Sequence, residues 1–315
     1  MFISKVFTDT PFPLDVNNLP ENVSVGGTGF YFDKAPNLPD EIEHHMPDYD
    51  LYNDWIEQQI ADGIPASQFR EYKEYSIGFT TRGCFRKCPF CVNQKDDRVF
   101  CHSPLEEFYD PSRKKICLLD DNILGYPKWK EIFQMLQSTG KPFKFKQGMD
   151  ERLLTDEKCE VLFNSKYDGD ITFAFDNIAD YDLIHKKLQM IRKYTERQVM
   201  FYVLVGFEST DIQDIVNMFE RIALLQQYHC LPYIMRYQNK NETPWKDSEY
   251  RGMYIAVARW CNQPSFFKKK SFREFCELDQ SGIKTVGKLS ASMTALKNIE
   301  KNYPEIAKKY FDLKW

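Results

Sequence analysis

The stretch YSIGFTTRGCFRKCPFC, residues 75–91, joins a β-rich run to three closely spaced cysteines. Its first seven residues have the composition and patterning of a β-strand. Cys84, Cys88 and Cys91 follow with the spacing C-x3-C-x2-C. No export signal precedes them, so reduced thiols in a cytosol are expected rather than a disulfide framework. The loop after this first predicted strand is therefore the first candidate site.

Composition narrows the class of protein. The 315 residues are 43% hydrophobic, which is enough for a sizeable core. The net charge of -4 argues against wholesale binding of a phosphate backbone, although it leaves a local RNA contact open. No apolar run approaches the roughly 18 residues of a membrane span. We therefore predict a cytoplasmic protein without a membrane partner.

A strand–helix rhythm begins near residue 75 and continues through most of the chain. The predicted strands cover residues 75–81, 114–120, 142–148, 170–176, 198–206 and 231–237. Helical patterns between them predict parallel strands joined by right-handed crossovers. Six units are too few for the usual eight-stranded barrel. The sequence thus predicts the α/β class and a partial (β/α)6 TIM-like barrel, with its working face at the carboxyl ends of the strands.

Three regions are predicted along the chain. Residues 1–70 are rich in Pro, Asp and Asn and form an N-terminal extension. Residues 71–240 form the barrel core, and residues 241–315 form a C-terminal helical region.

Within the helix predicted over residues 210–227, Thr210 and Gln213 fit a capping box.

Two kinds of metal centre would use the three thiolates. Structural zinc needs four closed ligands, and Cys101 with His102 could complete such a site. An iron–sulfur cluster normally takes four thiolates, so three would leave one iron open to a substrate or cofactor. A zinc-binding or partner-subunit protein without redox chemistry stays open as the alternative.

The motif, placed after the first strand and with Phe90 before its last cysteine, resembles that of the radical S-adenosylmethionine superfamily. The resemblance covers most of residues 70–275 and is closest in form to the cobalamin-domain and methylthiotransferase-like branch. It implies that the three cysteines hold a [4Fe-4S] cluster whose fourth iron binds S-adenosylmethionine. Reductive cleavage would then yield a 5′-deoxyadenosyl radical that abstracts hydrogen from a substrate. A low-potential electron donor is the implied partner, and the substrate could be a small molecule, a peptide or an RNA base.

The resemblance also implies roles for residues near the predicted strand ends. The segment LLDDNIL, residues 118–124, stands where the family places its cofactor-amino loop, usually Gly-Gly-Glu. The expected cofactor-binding residues are Phe90, Asp120, Asp121, Asn122, Gln147, Arg152, Gly206 and Glu208. The expected catalytic or substrate-facing residues are Asp121, Asp176 and Arg236. Structural alternatives stay open: a capping turn at residues 120–122, a salt bridge from Arg152 to Asp150, and a turn at Gly206.

The first 70 residues resemble the joint that connects such a core to a cobalamin-binding domain. We expect most of that domain to be absent, and its Asp-x-His-x-x-Gly pattern does not occur. No cobalamin is therefore expected. His44 and His45 lie in the Pro/Asp-rich segment and are predicted to be exposed to solvent.

Overall fold

A computed structural model describes most of the chain. The described residues are 1–5, 10–13, 15–31, 36–239 and 242–315. Part of the predicted N-terminal extension (6–9, 14 and 32–35) and the boundary at 240–241 therefore lie outside them. The chain divides into two units. The first comprises Met1–Met149 and Glu160–Gly169, and the second Asp150–Cys159 and Asp170–Trp315.

Strands and helices alternate between residues 115 and 236, as predicted. The strands are β1 (Phe2–Ser4), β2 (Ser24–Gly26), β3 (Tyr75–Gly78), β4 (Thr81–Arg82), β5 (Phe100–Cys101), β6 (Lys115–Leu118), β7 (Phe143–Phe145), β8 (Ile171–Ala174), β9 (Val199–Val205) and β10 (Cys230–Arg236). The helices are α1 (Thr28–Tyr31), α2 (Asp40–Glu43), α3 (Asn53–Ala61), α4 (Arg70–Glu74), α5 (Trp129–Ser138), α6 (Asp156–Asn164), α7 (Tyr181–Tyr194), α8 (Ile212–Gln227), α9 (Arg251–Cys261), α10 (Pro264–Phe267), α11 (Phe272–Ser281), α12 (Ala291–Asn302) and α13 (Pro304–Tyr310). The predicted α/β class is confirmed.

The first unit contains a three-stranded parallel sheet in the order β3-β6-β7. Short apolar strands such as β6, whose last three residues are all buried, fit a parallel sheet that is covered by helices. Phe133 of α5 is fully buried. Its ring centroid lies 5.8 Å from that of Phe143 and 5.6 Å from that of Phe145. Aromatic packing of α5 on β7 therefore forms much of this core.

The free edge of β3 is closed by one side chain. Tyr49 Oη accepts the backbone N–H of Ile77 at 2.7 Å and donates to the carbonyl oxygen of Phe108 at 2.6 Å. Arg113 fixes this tyrosine, because its guanidinium lies 4.0 Å from the ring centroid and Nη2 donates to the Tyr49 carbonyl oxygen at 2.9 Å. The outward N–H of Ile77 on this edge strand is thereby satisfied without a further strand.

The second unit contains another three-stranded parallel sheet, in the order β10-β9-β8. Strand β9 alternates strictly between buried and half-buried residues along its seven positions. The outer edge of β10 is again closed by a side chain. Asn262, just after α9, accepts the Ile234 backbone N–H at 2.7 Å and donates to the Ile234 carbonyl oxygen at 3.1 Å.

Helix α8 begins one residue later than the predicted capping box would place it. Asp211 is the N-cap, and its Oδ1 accepts the backbone N–H groups of Gln213 and Asp214. The capping role predicted for Thr210 is therefore wrong. The carboxylate of Asp211 serves instead, and it also complements the positive end of the helix dipole.

No sheet in the described ranges closes into a barrel. The predicted partial barrel is consequently not confirmed, although each unit has the parallel strands that it requires. Helices α9–α13 occupy the predicted C-terminal helical region. No helix in the described part of the chain combines the length and apolarity needed to cross a lipid bilayer.

Candidate active site

The predicted cysteine loop connects the two strands of a hairpin in the first unit. Strands β4 and β5 pair antiparallel with Thr81 opposite Cys101, so all three motif cysteines belong to one connection. Gly83 begins this connection with a φ of 83°. A Cβ at this position would lie 2.4 Å from the carbonyl oxygen of Arg98. Glycine is required here both by the left-handed backbone and by this close approach.

The sulfurs of Cys84 and Cys91 accept hydrogen bonds from N–H groups. Cys84 Sγ accepts from the Arg86 backbone and from Asn122 Nδ2, both at 3.4 Å. Cys91 Sγ accepts from the Asn93 backbone, also at 3.4 Å. A neutral thiol is a weak acceptor, whereas hydrogen bonds to sulfur are one means by which proteins tune iron–sulfur clusters. This donor set suits negatively charged sulfur and therefore fits a thiolate-bound metal.

The three cysteines are half-buried reduced thiols. Burial raises the pKa of the Cys91 thiol, and the nearby Cys88 and Cys84 raise it further. A bound metal would oppose this effect, because coordinated thiols lose their protons. Across the described ranges, no group of three or more His, Cys, Asp or Glu side chains is arranged as a metal site. The loop thus carries the candidate ligands without gathering them around one centre.

Asp120, a predicted cofactor contact, fastens the hairpin to the sheet. It is only 2% exposed. Its Oδ1 accepts from Thr80 Oγ1, Thr81 Oγ1 and the Thr81 N–H at 2.6 Å each, and Oδ2 accepts the Thr80 N–H at 3.1 Å. Four hydrogen bonds favour the structural alternative for this residue. Its role toward the cofactor stays a prediction.

The two residues after Asp120 both contact the cysteine loop. Asp121 Oδ2 accepts the Gly83 N–H at 2.8 Å, and burial raises the pKa of the Asp121 carboxyl. Asn122 is 4% exposed and donates to Cys84 through Nδ2. Its Oδ1 is buried and finds no hydrogen-bond partner among the described residues. Because a buried acceptor without a donor costs about 1–3 kcal/mol, a bound N–H donor would be stabilised at this oxygen.

Phe90 and Gln147 complete the predicted site residues of the first unit. Phe90 is half-buried within the cysteine loop. Gln147 is exposed, two residues after the end of β7. The structure therefore brings Asp121 and Asn122 to the cysteines and leaves Gln147 at the surface.

A cleft of about 650 Å³ borders the base of the hairpin and is lined by residues of the first unit. His44 and His102 stack there with ring centroids 5.1 Å apart. Nε2 of His102 lies 3.2 Å from Glu43, and its Nδ1 lies 2.9 Å from Ser103 Oγ. Both ring nitrogens are thus engaged. His44 and His45 are exposed, as predicted, and His44 pairs with Glu107 at 2.7 Å.

In the second unit, Arg152 lies between two carboxylates. Its Nε is 2.6 Å from Asp150 Oδ1, and its Nη1 is 3.3 Å from Asp180 Oδ2. The salt bridge that was the structural alternative for Arg152 is therefore present. A contact with the cofactor carboxylate stays a prediction.

Asp176 lies just beyond β8, next to a buried arginine. Its Oδ1 accepts the Leu204 N–H at 3.2 Å. Burial raises the pKa of Asp176 to about 6, and Arg221 opposes that rise. Arg221 is 2% exposed, and its Nη1 donates to the carbonyl oxygens of Phe175, Asp176 and Leu204 at 2.8–3.0 Å. These contacts tie α8 to the ends of β8 and β9.

Gly206 and Glu208 follow β9. Gly206 has a φ of 70° and donates its N–H to Asp214 Oδ2 at 2.8 Å. A Cβ at Gly206 would lie 2.9 Å from the Cβ of Trp245. Glu208 accepts from Asn177 Nδ2 at 2.8 Å. In this unit Gly206 lies against the indole of Trp245. The predicted contact of Gly206 with the adenine ring of the cofactor stays a prediction.

Arg236, the last residue of β10, stacks on the same indole. Its guanidinium carbon lies 4.4 Å from the Trp245 ring centroid. Trp245 is 5% exposed. Trp245 was not predicted from the sequence, because it lies in NKNETPWKDS, a polar segment with the composition of a connector. The single tryptophan in that segment was the available signal.

Glu151 is a second buried residue of this unit that was not predicted from the sequence. It is 2% exposed and accepts the Ala174 N–H at 3.1 Å. Burial raises the pKa of its carboxyl to about 8. Since it stands between Asp150 and Arg152, the local sequence has the charged character of a surface segment. In the folded protein this carboxyl is largely protonated at neutral pH.

The Glu151 carboxyl makes folding stability dependent on pH. Because the folded state holds this proton more tightly than the unfolded chain, stability falls as pH rises from the ordinary glutamate pKa toward 8. We expect Glu151→Gln to flatten this decline and to raise the free energy of unfolding at pH 8 by about 3 kcal/mol. Denaturant unfolding at a series of pH values measures both effects. Glu196→Gln, at an exposed position, is the control, and an unchanged slope in Glu151→Gln would contradict the prediction.

Comparison with known proteins adds no relative: no family model matches the chain, and no curated protein matches it significantly. The resemblance carried by the cysteine motif is therefore neither strengthened nor weakened by these comparisons.

Proposed function

We propose that this chain is a radical S-adenosylmethionine enzyme. The observation that carries the proposal is the C-x3-C-x2-C loop. It lies in the connection after β3, the first strand of the three-stranded parallel sheet, and its N–H groups donate to the sulfurs of Cys84 and Cys91. Loops at the carboxyl ends of parallel strands are where α/β proteins bind their ligands. Position, ligand type and hydrogen bonding thus agree.

Cys84, Cys88 and Cys91 would hold a [4Fe-4S] cluster and leave one iron for S-adenosylmethionine. The chemistry that the cluster and S-adenosylmethionine would supply is one-electron cleavage of the sulfonium and abstraction of hydrogen from a substrate. The part of the protein is electrostatic: the backbone N–H groups of Arg86 and Asn93 stabilise negative charge on two of the sulfurs.

Asn122 and Asp121 are the residues that we assign to the amino group of S-adenosylmethionine. The partnerless Oδ1 of Asn122 requires a donor, and an ammonium group offers three. A neighbouring cation would also lower the pKa of the Asp121 carboxyl, which burial raises. Binding of the ammonium group would therefore stabilise both the Asn122 carbonyl oxygen and the Asp121 carboxylate.

We further propose that the fold is a partial (β/α)6 barrel. The support is topological: within each unit, consecutive parallel strands of the chain are neighbours in the sheet.

The zinc alternative has less support. His102, which with Cys101 was a candidate to complete the site, already engages both ring nitrogens with Glu43 and Ser103. A zinc ion would have to break one of these contacts before the imidazole could bind it.

An anaerobic assay tests the proposal. The protein is reconstituted with iron and sulfide, then given S-adenosylmethionine and dithionite, and 5′-deoxyadenosine is quantified. We expect Cys84→Ala, Cys88→Ala and Cys91→Ala each to bring the product below about 1% of the wild-type amount, because an incomplete ligand set fails to hold the cluster.

Two cysteine variants outside the motif are the matched controls. Cys230→Ala removes a fully buried thiol and Cys101→Ser an exposed one. Both should retain iron and product. Loss of iron in either control, or zinc in place of iron in the wild type, would contradict the assignment.

A further inference from the structure

In the second unit, one cation at the end of β10 and one in the segment after it lie beside a single buried indole. Arg236 lies 4.4 Å and Lys246 5.8 Å from the ring centroid of Trp245. Both cations are exposed, whereas the indole is buried. Among the residues that the structure describes, neither cation has a carboxylate within 4.0 Å.

The environment of Arg236 lacks a compensating anion. Although Arg236 as a whole is exposed, partial burial of its guanidinium lowers its pKa, with no carboxylate acting in the opposite direction. A partly desolvated cation is unfavourable unless an anion or hydrogen bonds accompany it. Stacking on an indole holds the guanidinium flat and leaves its N–H edge available for a planar or tetrahedral anion.

Trp245 itself has a feature that packing does not explain. Its Nε1 is buried and has no hydrogen-bond partner in the described part of the chain. A phenylalanine would fill the site without an unpaired N–H. Indole is, however, the side chain that interacts most favourably with cations. The tryptophan is therefore better suited to holding two cations than to filling a core.

An aromatic pair follows the same two strands. The ring centroids of Phe207 and Tyr237 lie 4.7 Å apart, and the rings meet edge to face. Phe207 follows Gly206, and Tyr237 follows Arg236, so the pair and the Arg236 cation belong to the same strand ends. Aromatic side chains beside basic ones are the combination that binds nucleotides through ring and phosphate together.

We propose that Arg236, Lys246 and Trp245 form a subsite for a phosphate group of a bound ligand. Two cations match the double charge of a phosphate better than the single charge of a carboxylate. The claim that the phosphate belongs to the enzyme's substrate rests on the proposed function. The claim that these residues bind a phosphate does not depend on that function. The phosphate could belong to a small phosphorylated molecule or to RNA.

Calorimetric titration of the full chain tests the subsite without requiring turnover. The probes are inorganic phosphate, AMP and a single-stranded RNA ten nucleotides long. We expect the wild-type protein to bind AMP, Arg236→Met or Lys246→Met alone to weaken binding about tenfold, and the double variant to weaken it about 100-fold. The matched control is the double variant Arg251→Met with Lys284→Met, which removes the same charge from exposed positions and should bind AMP as the wild type does.

Trp245→Phe separates a binding role from a packing role. We expect it to weaken AMP binding several-fold while the thermal unfolding midpoint stays close to that of the wild type. Tighter binding of the RNA than of AMP would assign the phosphate to a polynucleotide, and equal binding of AMP and phosphate would assign it to a small molecule. No binding of any probe, or an equal loss in the control variant, would overturn the proposal. None of these binding measurements depends on formation of 5′-deoxyadenosine. The phosphate subsite and the radical chemistry can therefore be refuted independently of each other.

Discussion

Replacing Arg221 with methionine should lower the free energy of unfolding by about 4 kcal/mol, because a buried charged network loses its centre. The guanidinium is 2% exposed and donates to three carbonyl oxygens at the ends of β8 and β9. Its Nε donates to the Asn217 carbonyl oxygen at 3.1 Å. Methionine retains much of the volume, but it leaves these acceptors without a donor. Asp214 and Asp176 also lose the cation that stabilises their charged forms.

Arg251→Met is the control for this variant, because Arg251 is exposed at the start of α9. It should change the unfolding free energy by less than about 0.5 kcal/mol. A second measurement is the titration of Asp176 by NMR. Its pKa, which burial raises to about 6, should rise further once Arg221 is gone. A stability loss below about 1 kcal/mol would show that the network contributes little.

Asp120→Asn should destabilise the protein by about 3 kcal/mol although the two side chains have nearly the same shape. The carboxylate accepts four hydrogen bonds from Thr80 and Thr81. An asparagine amide must place its NH2 group against at least one of these donors. The two backbone N–H groups at the start of β4 would then exchange with solvent faster, because the bonds that protect them are weakened.

Urea unfolding and hydrogen exchange of the Thr80 and Thr81 amides measure this effect, and Asp97→Asn, at an exposed position of the cysteine loop, is the control. Iron retained after reconstitution gives a further reading. If Asp120 positions the hairpin, iron retention should fall in Asp120→Asn and not in Asp97→Asn. Normal stability together with lost cofactor binding would instead support the predicted direct contact.

The six principal strands were predictable because each is an apolar or alternating run bounded by polar residues. The run over residues 75–81 was predicted as one strand, but the structure divides it after Gly78. The reason lies in Asp120, which is 39 to 40 residues away along the chain and binds Thr80 and Thr81. No local pattern encodes such a long-range contact, so the small hairpin that carries the cysteines could not be anticipated.

The site was predictable only where chemistry restricts the residue type. Three cysteines at fixed spacing are rare without a metal, and a glycine after a strand indicates an unusual backbone conformation. Arg221 and Glu151 carried no such signal, because charged residues in helical or polar segments are usually at the surface. Their burial depends on which backbone groups of distant strands they meet, and this follows from the tertiary fold alone.

The two side chains that close the sheet edges determine what happens if the chain is shortened. Tyr49 belongs to the predicted extension and Asn262 to the predicted C-terminal region, yet they satisfy the outer backbone groups of β3 and β10. A chain trimmed to residues 71–240 would keep every predicted strand and expose both edges at once. Exposed edges recruit strands from other molecules. Such a fragment would self-associate. The flanking segments that contain Tyr49 and Asn262 are therefore needed to keep the sheets from pairing with other molecules.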